Sequence, residues 1–155
     1  MKIRDIIREN QQSAPVDIEK MADAFGVEVR KENLGADISG KIIKERSDGN
    51  EKFVIISNST EDEIRQRFTI AHELSHFILH QDLIGDGITE NTLYRNGLSN
   101  EVEDQANRLA TDMLMPMHLI EQLSNTENAS IDKMASILRV SLTSLMIRLK
   151  IPVTD

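Results

Sequence analysis

The sequence predicts an α+β fold, and three observations carry that prediction. Helical periodicity runs through both ends of the chain, two strand-like runs lie between residues 37 and 57, and a turn signal joins those runs. A length of 155 residues suits one domain with a substantial core. The net charge of −8 argues against broad binding to phosphate backbones, and the absence of Trp with only 3% aromatics argues against base-stacking platforms. With no cysteine there are neither disulfides nor thiolate ligands, so any metal must be held by His and carboxylate. No apolar run is long enough to span a bilayer, and the start Met-Lys-Ile-Arg-Asp-Ile-Ile-Arg is unlike a signal peptide. A cytoplasmic location is therefore expected.

Residues 2–9 are expected to form a short helix with Ile3, Ile6 and Ile7 on one side. After Pro15, Ile18, Met21, Ala22 and Phe25 mark the core face of a second helix, which Gly26 ends. Val27 to Arg30 alternates like a short strand. Asp37 to Glu45 and Lys52 to Ser57 read as two strands joined across Ser47-Asp-Gly-Asn50. Phe53-Val-Ile-Ile56 is apolar on both faces, as in an inner strand, whereas Ile38, Gly40 and Ile42 alternate with polar residues as in a more exposed one. Such an edge either pairs with an extended peptide or merely closes the sheet.

A longer helix is expected to follow. Thr60-Glu-Asp-Glu63 has the form of a capping box, and Ile64, Phe68, Ala71, Ser75 and Ile78 repeat at helical spacing. Inside it lies His72-Glu-Leu-Ser-His76, an H-E-x-x-H motif. Residues four apart share one helix face, so both imidazoles can reach a single zinc ion. Glu73 stands about 100° further round the helix, placed to act as a general base toward water. That is metalloprotease chemistry. Gln81 to Asn100, with Gly85, Gly87 and Gly97, reads as a loop beside the site, in which Tyr94 and Arg95 are candidate oxyanion donors.

In Glu101 to Pro116, Val102, Ala106, Leu109, Ala110 and Met113 mark the buried side of a helix stopped by the proline. Glu103 in its first turn can complete a His₂Glu site and leave a fourth position for water, with Asn107 one turn on as a partner for a ligand. Glu101 is the rival, about 200° away round the helix, so only one of the two can face the metal. A metzincin site would need Gly at Leu79 and His at Asp82. His80 continues the row from His76 but lies about 6 Å along the axis, so it reads as a helix-end histidine that packs near the site. His118 reads as surface.

These segments together resemble the ImmA/IrrE family of zinc metallo-endopeptidases. The resemblance runs from about Val16 to Lys150, through Pro15-Val-Asp-Ile-Glu-Lys-Met-Ala, Phe53-Val-Ile-Ile, Arg67-Phe-Thr-Ile-Ala-His-Glu-Leu-Ser-His-Phe-Ile-Leu-His80 and the Glu103-x-x-Ala-Asn helix ending Met-Leu-Met-Pro116. It implies a zincin-like, gluzincin-type fold over residues 1–120. It implies one zinc ion on His72, His76 and Glu103, with manganese or another divalent ion as an alternative, and Glu73 as catalytic base. It also implies a substrate, a helix-turn-helix repressor of phage or mobile-element origin. Ser75 and Leu109 depart from the family's usual Gly and Phe, and both are conservative enough in size to leave the zinc site alone.

Residues 121–155 are expected to pack on that domain as a helical extension. Ile131 to Leu149 reads as two short helices around Val140-Ser141, a hairpin resembling half of a helix-turn-helix, with Leu142, Leu145 and Leu149 inward. Its cations Arg139, Arg148 and Lys150 are few for a DNA-reading face. Two other functions compete with proteolysis: a metal-binding transcriptional regulator acting by contact alone, and a DNA-binding regulator with a vestigial metal site.

Overall fold

The computed structural model describes residues 2–84 and 100–153. Helix α1 (Ile3–Glu9) and helix α2 (Ile18–Ala24) lead into strands β1 (Glu28–Glu32), β2 (Gly40–Ser47) and β3 (Asn50–Asn58). Helix α3 (Glu63–Leu79) and a 3₁₀ turn at Gln81–Leu83 follow, then α4 (Asn100–Leu114), α5 (Met117–Thr126), α6 (Ile131–Leu138) and α7 (Leu142–Arg148). The fold is α+β, with one small sheet and the helices around it.

The sheet order is β1-β3-β2, with β1 parallel and β2 antiparallel to β3. The apolar run Val54-Ile-Ile56 thus lies in the central strand, and all three residues are buried. Ile55 joins the main core, while Val54 and Ile56 meet Ile43 and Leu34 in a smaller cluster. The hairpin is tighter than Ser47–Asn50 suggested. Pairing continues to Ser47 and Asn50, leaving a two-residue turn in which Asp48 and Gly49 have φ of 52° and 80°. Positive φ at both positions matches the right-handed twist of the strands. At its other end β2 begins at Gly40, three residues later than expected.

The reason is Asn58. Its Nδ2 donates to the carbonyls of Gly35 and Ile38 at 2.7 and 2.8 Å, and its Oδ1 accepts from the Leu34 and Thr60 amides and the Thr60 hydroxyl. These bonds pin residues 34–38 as a loop beside the sheet. They also take Thr60 out of the capping role. Helix α3 is capped by Asp62 instead, whose carboxylate accepts from the Arg65 amide at 2.9 Å.

The main core joins α2, the sheet, α3, α4 and the C-terminal helices, with Met21, Ile55, Leu74, Met113, Leu138 and Leu145 among its members. Ser75 fits this interior because its hydroxyl donates to the Ala71 carbonyl at 2.8 Å. Burying that hydroxyl unbonded would cost about 1–3 kcal/mol. Helices α6 and α7 are joined through Arg139, which takes the left-handed conformation with φ of 58°. Arg67 ties this corner to α3 by donating to the Leu138 and Arg139 carbonyls. Leu145 takes the inward position, but Leu142, on the first turn of α7, is 41% exposed. Ile3 and Ile64 likewise lie at the open ends of their apolar stripes, 50% and 40% exposed.

Candidate metal centre

Helix α3 carries His72, Glu73 and His76 into the interior, where all three are buried. Small residues let α4 lie against it. Ala106 and Ala110 are fully buried small residues, and their size allows close approach of the helix backbones. The chain then places Glu103 over the two imidazoles. His72 Nε2 lies 3.1 Å from one carboxylate oxygen and His76 Nε2 lies 3.1 Å from the other. The two Nε2 atoms are themselves 3.1 Å apart. Glu101, by contrast, is exposed, and Glu103 is the acid that meets the histidines.

The proton positions follow from the partners behind the rings. His72 Nδ1 is 2.8 Å from the Asn107 side-chain oxygen. An amide oxygen only accepts, so Nδ1 carries the hydrogen and Nε2 of the neutral ring presents its lone pair forward. His76 Nδ1 lies 3.0 Å from His80 Nδ1. Burial lowers the pKa of both histidines. For His72, Glu103 and Asn107 partly oppose the shift, and for His76 the neighbouring His72 and His80 add to it, down to about 3. Both rings are therefore neutral near pH 7.

The result is a cluster of lone pairs facing one another. Although Glu103 Oε1 stands 3.1 Å from His76 Nε2, it accepts no hydrogen bond among the described residues. The short distance and the missing bond are compatible once neither atom carries a proton. Two imidazole nitrogens and a carboxylate at such separations suit a tetrahedral ion, for which ligands at about 2.0–2.1 Å stand roughly 3.3 Å apart. These three residues could hold a metal, and together they match the donor chemistry of a divalent cation.

Glu73 completes the site. It is fully buried, and neither carboxylate oxygen has a hydrogen-bond partner among the described residues. Burial first, and then the nearby Glu103 charge, raises its pKa well above the ordinary value. A buried carboxylate with no partner is costly to the fold, and strongly perturbed groups of this kind cluster at functional sites.

A cleft of about 290 Å³ opens on one side of the centre. Asp37 to Gly40 from the edge of the sheet form one wall, Arg65, Phe68, Thr69 and His72 from α3 the floor, and Glu103 and Asn107 the far side. Gly40 is required where the strand crosses the helix. A Cβ there would meet Thr69 Cγ2 at 2.3 Å and the Ile56 carbonyl oxygen at 2.8 Å.

Tyr94 and Arg95 lie outside the described residues. His118 is exposed, and its Nε2 donates to the Gln11 carbonyl at 2.8 Å. Sequence spacing gave no sign of Gln105, which faces His80 at 2.8 Å. Two positions after Glu103, it should point away from the centre, and only the place where α3 ends brings His80 to it.

Residues 22–150 match the family model described as Peptidase_M78, IrrE N-terminal-like domain. A relative in Bacillus phage phi105, named uncharacterized immunity region protein 2, is 27% identical over 125 residues, covering 81% of this chain and 73% of its own. Among solved structures, a Mycobacterium tuberculosis transcriptional regulator superposes with a TM-score of 0.62 at 20% identity. The match covers 96% of this chain and 45% of that one, and it speaks to the fold.

Proposed function

The chain belongs to the Peptidase_M78 family of IrrE N-terminal-like domains, and on that premise we propose that it is a zinc-dependent endopeptidase that cuts a helix-turn-helix repressor. The observation that carries this reading is the convergence of His72 Nε2, His76 Nε2 and the Glu103 carboxylate beside a buried Glu73 that has no hydrogen-bond partner among the described residues. We read residues 1–120 as the zincin-like peptidase domain and residues 121–155 as a helical extension packed on it; the core that the two stretches share supports reading them as a single compact unit. The repressor as substrate is supported by the immunity-region relative.

In this mechanism His72, His76 and Glu103 would hold the ion. When bound, the ion supplies a Lewis acid that acidifies water and polarises the carbonyl to be attacked. Glu73 takes the proton from the attacking water and returns it to the leaving amine. Its burial raises its basicity and keeps bulk water from competing for the proton. Asn107 holds His72 with Nε2 forward. Among the described residues β2 is an edge strand of the sheet, next to the cleft, and its outer backbone groups are ones an extended peptide could pair with, which would lay a scissile bond beside Glu103. The C-terminal helices are a poor DNA reader. Arg139 is paired with Glu63, and Arg148 binds Asp112 and the Met115 carbonyl.

The test mixes the purified protein with candidate helix-turn-helix repressors from the same genome and follows intact mass, for wild type and Glu73→Gln, with and without zinc. A single new cut that needs both zinc and Glu73 is the expected result. A stable complex without a cut, formed equally by Glu73→Gln, would replace proteolysis with regulation by contact.

A further inference from the structure

Three histidines form a row along α3 and its C-cap, and the third is wired to α4. His80 lies beside His76 with ring centroids 5.1 Å apart, and the two Nδ1 atoms are 3.0 Å apart. On its other side, His80 Nε2 is 2.8 Å from the Gln105 side-chain oxygen. That oxygen can only accept, so His80 Nε2 carries the hydrogen. With His80 neutral, its single N–H is the one on Nε2, and its Nδ1 is an acceptor. The hydrogen between the two Nδ1 atoms therefore belongs to His76, and His76 Nε2 is left with its lone pair toward Glu103.

We propose that Gln105 and His80 are positioning residues, a relay from α4 that fixes His76 in the Nδ1–H tautomer with Nε2 presented to the metal centre. Helix α4 then contributes three side chains at alternate positions. Glu103 enters the centre, Gln105 sets His76 through His80, and Asn107 sets His72 directly. Without such partners an imidazole divides between two tautomers, only one of which offers Nε2 as a ligand. The consequence for metal affinity rests on the proposed centre, whereas the tautomer itself does not.

The experiment reads both. Long-range ¹H–¹⁵N correlations of the imidazole rings report the His76 tautomer in metal-free protein, and competition with a chelator reports zinc affinity. Wild type and Gln105→Glu, which keeps an acceptor, are expected to show Nδ1–H. Gln105→Leu and His80→Phe are expected to shift His76 toward Nε2–H and to weaken zinc binding by about 10- to 100-fold. The double variant should lose little more than the worse single variant, because both act through one relay. An unchanged His76 tautomer in Gln105→Leu and His80→Phe would overturn the relay. Unchanged zinc affinity in those variants would overturn its role at the centre. If the variants show the tautomer shift yet wild type binds no zinc, the relay stands and the metal reading fails.

Discussion

Replacing the proposed catalytic base should strengthen the metal-free fold. Glu73 is wholly buried, neither of its oxygens has a hydrogen-bond partner among the described residues, and burial followed by the Glu103 charge raises its pKa well above 4.5. In the unfolded chain the group ionises near that ordinary value, while in the fold it keeps its proton to higher pH. Its contribution is therefore intact below pH 4.5 and is lost as pH rises toward the folded value. The loss can reach about 1.4 kcal/mol per pH unit. A glutamine side chain at this position would have nearly the same shape and no titration. Glu73→Gln and wild type should therefore be similar near pH 4.5. Above that pH the variant should become progressively the more stable of the two, until the folded protein too has lost the proton. Urea unfolding followed by circular dichroism across that range, with chelator present, measures the gap. A gap that does not widen with pH, or a variant less stable than wild type at neutral pH, would refute the reasoning.

Other outcomes follow from single contacts. Glu103→Ala should weaken zinc binding by more than about a hundredfold, beyond the usual effect of outer partners, and Glu101→Ala by no more than a few-fold. Equal effects by chelator competition would overturn the choice of ligand. Gly40→Ala drives a methyl into Thr69 and the β3 backbone. It should cost about 1–3 kcal/mol in urea unfolding, because backbone does not yield as a flexible side chain does. Asn58→Ala removes the partner of part-buried carbonyls and amides at Leu34, Gly35, Ile38 and Thr60. A loss of about 2–4 kcal/mol, with faster proteolysis in the loop before β2, is expected.

Much of this arrangement is legible in the sequence because it depends on local periodicity. The spacing of His72 and His76, the helix they need, the apolar central strand and the Asp48-Gly49 turn are all short-range patterns, and each is present in the fold. Glu103 was legible for a similar reason. It stands in the first turn of a helix whose alanines permit close packing. What escaped depends on where distant segments meet. The cap of α3 shifted from Thr60 to Asp62 because Asn58 claims the Thr60 hydroxyl, an exchange that spacing does not encode. Leu142 lies on the correct stripe but at the end of its helix, where little packs on it. Gln105 reaches His80 because α3 ends at that point.

The most direct measurement is an anomalous-difference map at the zinc absorption edge, from crystals grown with zinc. The expected result is one peak about 2.0–2.1 Å from His72 Nε2 and His76 Nε2, bonded also to the Glu103 carboxylate. A peak ligated by Glu101 or His80 in place of these residues, or no peak between α3 and α4, would contradict the account.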